Sequence, residues 1–323
     1  LKSKEADMTE PADNIEVKIT EAGAYDDIDM EIYHGDCCVG PSISNSGIKQ
    51  MLADPAEYWR KSPMNPLRVK DEAKRHFNIG TSAHLLLLEP ETVNGLISVI
   101  PNKKLASNGA LSTKAAKEFK AEQEQLGRVV ITEAEWNMVC DMADVLSEND
   151  YVTRALVGMD IEKSLFWQDE ETGVWLKTRP DIMPRESGRY VVDYKTTDFD
   201  DIASWEKQAT ADTRLDIQAA SQLWGCKAAA EIEARGVLYI VQSKKPPHRI
   251  ALRFVHASSY LHEIGRVDLR RGINSFAHCW ETGEWPSPWD DVKELTPPDW
   301  RMRQIERQLE EGSISTPNDP LAA

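Results

Sequence analysis

The sequence predicts an α/β domain, a central mixed β-sheet flanked by helices. Three apolar runs between Ile161 and Lys195 alternate with a period near two, and two more follow at Val237–Val241 and Ile250–Val255. That periodicity is the mark of strands. The order along the chain is helices, three strands, a helix, two strands and a final helix, which suits one sheet covered by helices.

Composition sets the bounds. With 323 residues, 41% of them hydrophobic, the chain can bury a sizeable core in one large domain or two modest ones. No apolar run approaches a membrane span; the longest lies around Leu85–Leu88. No GxxxxGK[ST] phosphate loop is present, which excludes a P-loop motor. The N-terminus lacks the basic-then-apolar pattern of a secretory signal. The five cysteines (Cys37, Cys38, Cys140, Cys226, Cys279) are scattered and form no CxxC pair. Reduced thiols and a cytoplasmic location are therefore expected.

A formal net charge of −16 argues against a protein that coats nucleic acid with its whole surface, but allows a local basic channel. The acid is concentrated in residues 1–36, where eleven carboxylates face three lysines. This stretch reads as a solvated segment, mobile or extended to about Ile28. The main domain is then 37–285, and 286–323 is a tail rich in Pro and Trp.

Helical signals begin at Ser44, an N-cap candidate. Ile48, Met51 and Leu52 share a face, and Pro55 stops the helix. A second helix is expected over 72–89, ended by Pro90, with His84 beside the face of Gly80, Ala83 and Leu87. A histidine there is either a hydrogen-bonded core residue or a ligand, and His76 is the weaker substitute. Val129–Ile131 reads as a short strand, followed by the capping box Thr132-Glu-Ala-Glu135.

The strands Ile161–Trp167, Val174–Ile182 and Tyr190–Lys195 come next, with a turn at 184–188. Residues two apart on a strand share a face, so Asp193 and Lys195 project together and Tyr194 projects oppositely. Pairing of the last two strands as a hairpin brings Asp181 close to Asp193. Two adjacent carboxylates repel unless a cation lies between them, and oxygen ligands suit Mg²⁺ or Mn²⁺. A lysine beside such an ion can orient a water and stabilise charge on a phosphoryl oxygen. This is the inventory for phosphodiester hydrolysis. The plain alternative is a solvent-facing hairpin with a cross-strand Asp/Lys pair.

On the helix expected over 216–231, Gln218 and Gln222 are one turn apart and can face one cleft. Lys244, Lys245 and Arg249 surround Pro246-Pro247 in a basic hairpin loop, which is either a contact to DNA phosphates or a polar turn.

Pro180-Asp181 followed by Asp193-Tyr-Lys195 resembles the PD-(D/E)xK nuclease signature. Arg179-Pro-Asp181 and Asp193-Tyr-Lys-Thr-Thr197 resemble its exonuclease VIII (RecE-type) branch. Ile79-Gly-Thr-Ser-Ala-His84, continuing to Pro90, resembles that branch's helical histidine motif, and Ile43–Pro55 its opening helix. The resemblance runs from about Tyr33 to Trp300. It implies a restriction-endonuclease-like PD-(D/E)xK core. It also implies Mg²⁺, with Mn²⁺ a substitute, held by His84, Asp181, Asp193 and the carbonyl of Tyr194. Lys195 would orient or activate the attacking water. Gln218 matches the branch's glutamine, whereas Gln222 stands where the branch has tyrosine, which puts the phenol's contact in question. Arg179, Gln222, Lys244, Lys245 and Arg249 are the expected DNA contacts.

By the same resemblance, the activity is 5′ to 3′ degradation of linear double-stranded DNA. The 3′ single strands left behind would pass to an annealing protein in homologous recombination. Such enzymes form homo-oligomers, commonly ring-shaped tetramers. Two rival readings are a PD-(D/E)xK endonuclease or repair nuclease, and a non-catalytic DNA-binding scaffold on the same fold.

Overall fold

The computed structural model describes residues 18–68, 79–88 and 90–314. They fall into two compact units, divided between Trp285 and Pro286. His76 and the early part of the helix expected over 72–89 lie outside the described residues, as does the acidic segment before Lys18.

The first unit opens with β1 (Gly23–Tyr25), α1 (Met30–His34), β2 (Ser42–Ser44), α2 (Asn45–Ala53) and α3 (Pro55–Lys61). Ser44 caps α2 by accepting the Gly47 N–H at 3.2 Å. Pro55 forces Asp54 into extended backbone, which ends α2 and places the proline in the first turn of α3. There follow α4 (Ile79–Leu88), α5 (Val93–Leu96), β3 (Ile97–Ile100), α6 (Lys114–Gln125), β4 (Val129–Thr132), α7 (Glu133–Ser147) and α8 (Asp150–Leu156). The expected capping box opens α7: Thr132 Oγ1 accepts the Glu135 N–H at 3.2 Å, and the Glu135 carboxylate accepts the Thr132 N–H at 2.7 Å. The remaining elements are β5 (Met159–Ile161), β6 (Ser164–Gln168), β7 (Trp175–Thr178), β8 (Ile182–Pro184), β9 (Tyr190–Thr197), α9 (Ile202–Ala211), α10 (Leu215–Ala230), β10 (Gly236–Ser243), β11 (Ile250–His256) and α11 (Tyr260–Thr282).

Five strands form a mixed sheet in the order β11-β10-β9-β8-β5, in which the β9/β10 pair is parallel and the other pairs are antiparallel. A four-stranded sheet runs β1-β6-β7-β2, and β3 and β4 form a separate parallel pair. Two expected strands are thereby corrected. The run 161–167 divides at Glu162, whose backbone is left-handed (φ 52°), and its halves join different sheets. The run 174–182 divides at Arg179-Pro180, since proline offers no N–H to a ladder.

The described part of the acidic segment also departs from expectation. Residues 18–36 are folded against the four-stranded sheet. Ile19, Tyr33, Phe166 and Trp175 share a buried cluster, and Tyr25 meets Phe166 edge-on at 5.7 Å. The carboxylates face outward while a few apolar residues anchor the chain, a pattern that net charge conceals.

The central strands β9 and β10 are buried on both faces, and β10 reads accordingly as a near-continuous apolar run. Val191, Val237, Tyr239 and Val241 pack with residues of α2, α10 and α11. Val192, Tyr194, Leu238 and Ile240 pack with α4, α7 and α8. The Tyr239 hydroxyl donates to the Leu215 carbonyl at 3.0 Å and ties α10 to the sheet. Gly272 of α11 lies against Ile48, where a Cβ would come within 2.6 Å of Cγ2, so α2 seats closely on α11. No helix among the described residues is long and apolar enough to cross a membrane. The second unit carries α12 (Asp299–Glu310), a charged helix with no buried residue.

Candidate active site

Period-two alternation decides which side chains meet. On β9, Val191, Asp193 and Lys195 point toward α10, and Val192 and Tyr194 toward α4 and α7. Asp181 precedes the Ile182–Val192 pairing of β8 with β9, which delivers its carboxylate to the flank of β9. Asp181 Oδ2 accepts the backbone N–H of Tyr194 at 2.8 Å.

His84 reaches this point from α4. Its Nε2 lies 3.1 Å from Asp181 Oδ2 and 3.6 Å from Glu162 Oε1, and its ring tilts against Tyr194 at 6.5 Å. The donor atoms of His84, Glu162 and Asp181 all fall within 4.8 Å of one another. Glu162 is the residue that sequence reasoning missed. It sat inside an expected strand with no motif around it, and its φ of 52° is unfavourable for a side-chain-bearing residue by about 1–2 kcal/mol. Backbone strain of this kind clusters at functional sites.

Asp193 stands outside that group of three. Its carboxylate is fully buried and receives two amides on Oδ2, from Gln218 at 2.5 Å and Gln222 at 3.2 Å. Lys195 Nζ forms an ion pair with Oδ1, yet that oxygen accepts no hydrogen bond of good geometry, and Gln222 Oε1 is likewise buried without a donor. An imidazole nitrogen and two converging carboxylates, with a third carboxylate beside them, fit a hard divalent cation. As for Tyr194, the structure places its N–H on Asp181; the ligand role of its carbonyl rests on the resemblance alone.

The electrostatics agree with the donor chemistry. Burial raises the Asp193 carboxyl, the Asp181 charge raises it further, and Lys195 only partly offsets them. Burial also raises Asp181, but the His84 hydrogen bond and the Lys195 charge bring it below its usual range. For His84, burial is overcome by Asp181 and Glu162, and its value is raised. A raised histidine stabilises the fold fully below about pH 6.5 and loses that contribution as pH rises through the folded-state value. A raised carboxyl likewise makes the fold less stable as pH rises through its window. The protein in EDTA is therefore expected to lose melting temperature through this site as pH rises above about 6.5, and millimolar Mn²⁺ to flatten that slope. Melts on either side of that pH with EDTA and with Mn²⁺ check it; parallel curves would detach these residues from metal.

Four of the five expected DNA contacts have partners within the protein. Gln222 is fully buried and holds Asp193; a phenol in its place would need the surrounding core to move. Arg179 donates to Ser164 Oγ at 2.8 Å and to the Ile28 carbonyl at 2.5 Å, and lies over the Tyr33 ring at 4.6 Å. It ties the 18–36 segment to the sheet. Arg179→Ala is accordingly expected to cost about 2–3 kcal/mol of stability and leave DNA affinity nearly unchanged, as denaturant melts and a binding titration would show. Lys244 is ion-paired with Asp198, and Lys245 with Asp200 at 2.6 Å. Arg249 is exposed and lines a 600 Å³ cavity with Lys245 and Pro246-Pro247.

A family model described as a PDDEXK-like domain of unknown function (DUF3799) matches residues 44–293. Among solved structures, a "Putative exonuclease" from Eubacterium rectale is similar at 12% identity and a TM-score of 0.48, over 81% of this chain and 92% of that one. No curated protein matches.

Proposed function

The chain belongs to the family of PDDEXK-like domains, and from that premise we propose that it is a divalent-metal-dependent exodeoxyribonuclease of the exonuclease VIII type. The observation that carries the reading is the meeting of His84, Glu162 and Asp181 within 4.8 Å, beside Asp193 and Lys195 on one face of β9.

His84, Glu162, Asp181 and Asp193 would hold Mg²⁺ or Mn²⁺. Bound there, the ion would polarise a phosphoryl oxygen and acidify a water. The chain's own residues do the rest. Lys195 is held charged by Asp193 and Asp181, against the effect of burial. Its ammonium can donate to the attacking water or to a phosphoryl oxygen as negative charge builds. Gln218 and Gln222 fix the Asp193 carboxylate, and the Tyr194 N–H fixes that of Asp181.

On this reading the substrate is linear double-stranded DNA, degraded 5′ to 3′. The remaining 3′ strand is passed to an annealing protein, and a ring-shaped homo-oligomer turns the basic residues of an acidic chain toward the DNA. The test is digestion of linear duplex labelled at either the 5′ or the 3′ end, with Mg²⁺ or EDTA, beside a supercoiled circle. Magnesium-dependent loss of the 5′ label with the circle intact is the expected result. A cut circle would point to an endonuclease, and bound but uncut DNA to a scaffold.

A further inference from the structure

Lys49 brings a charge to the nuclease site that the catalytic scheme leaves unused. It lies on α2 one turn after Asn45, whose Nδ2 donates to Thr178 Oγ1 at 3.3 Å. Residues four apart share a helix face, so Lys49 follows Asn45 toward the strand that leads into Asp181. Ile48 takes the other direction, into Gly272 of α11. Helix α2 packs on the same side of the sheet onto which Asp193 and Lys195 project.

The ammonium of Lys49 is within electrostatic reach of Lys195, Asp193, Asp216 and Arg214, and burial followed by the Lys195 charge lowers it to about 8. Its neighbouring cations are matched with carboxylates. Lys195 is on Asp193, and Arg214 is bidentate on Asp216 at 3.0 and 2.8 Å and also meets Asp268. Lys49 itself makes no hydrogen bond or ion pair among the described residues. A half-buried, unpaired cation beside another lysine is unfavourable until an anion arrives.

We propose that Lys49 contacts a phosphate of the DNA strand being cut, adjacent to the scissile position, as the cation that this site offers to its substrate. The proposal rests on the nuclease reading above and adds to it a substrate-binding residue. A phosphodiester beside Lys49 would supply the missing counter-charge through a charge-assisted hydrogen bond. It would also place the backbone over Asp193 and Lys195.

The test compares the full-length wild type with Lys49→Met and Lys49→Arg. Cleavage of linear duplex is followed with Mg²⁺. Binding of a short fluorescent duplex is measured with Ca²⁺ over a series of KCl concentrations. Lys49→Met is expected to weaken binding about ten- to a hundredfold and to lower the slope of log Kd against log salt by about one. Lys49→Arg is expected to keep the slope. A structural role alone would leave the slope unmoved. Should Lys49→Met melt early, Lys49→Gln carries the same comparison. If the wild type cuts DNA and the neutral variants match it in rate and salt slope, the Lys49 assignment is wrong and the nuclease reading stands. If the wild type cuts no DNA with Mg²⁺ or Mn²⁺, both fall.

Discussion

Lys195→Ala is expected to slow DNA cleavage by about 10²–10⁴-fold while duplex binding survives. Lys195 sits on β9 two residues from Asp193, with which it is ion-paired, and its ammonium is the donor best placed to meet charge developing on a phosphoryl oxygen. That ammonium is already matched with the Asp193 carboxylate in the free protein, so its loss removes little of a duplex affinity that rests on other phosphate contacts. The loss also has a local consequence. Asp193 is buried and already raised by burial and by Asp181, so without Lys195 it holds a proton more readily. Lys195→Met, which keeps most of the stem, separates loss of charge from loss of packing. Near-wild-type cleavage by either variant, measured under single-turnover conditions, would remove Lys195 from the chemistry.

The second large effect belongs to Asp181→Asn. The amide oxygen can still accept the Tyr194 N–H, so β8 and β9 stay in register and the fold is retained. What disappears is the anion next to His84 Nε2 and Lys195. The loss of a charged ligand is worth several kcal/mol in the transition state, which corresponds to about a thousandfold in rate. The rise in melting temperature that Mn²⁺ gives the wild type, through preferential binding to the folded state, should shrink toward zero in this variant. A variant that still shows the full metal-induced rise would mean that the ion sits elsewhere.

Much of this site could be read before the fold was known, because it depends on local rules. Period two alone places Asp193 and Lys195 on one face and Tyr194 on the other. The hairpin turn at 184–188 brings Asp181 to β9. Ser44, Thr132 and Pro55 act as caps and stops through chemistry that spans three or four residues. What stayed hidden depends on long-range geometry. Glu162 acquires its place from an unusual backbone angle at the point where two sheets part, and nothing in Ile161-Glu-Lys163 announces it. Arg179 looks like a free cation in sequence; only the return of 18–36 over the sheet supplies the Ile28 carbonyl and the Tyr33 ring that engage it. Lys244 and Lys245 lose their apparent freedom to Asp198 and Asp200, more than forty residues away. The acidic composition of the first 36 residues obscured the four or five apolar positions that fold their described part.

The measurement closest to the central claim is an anomalous-scattering map from crystals of the protein soaked in Mn²⁺, with an EDTA-treated crystal as control. A single strong peak within ligand distance of His84 Nε2 and the carboxylates of Glu162 and Asp181, absent after EDTA, is the predicted result. A saturating soak that leaves those three residues without a peak, or places the only peak away from them, would contradict the account of the site.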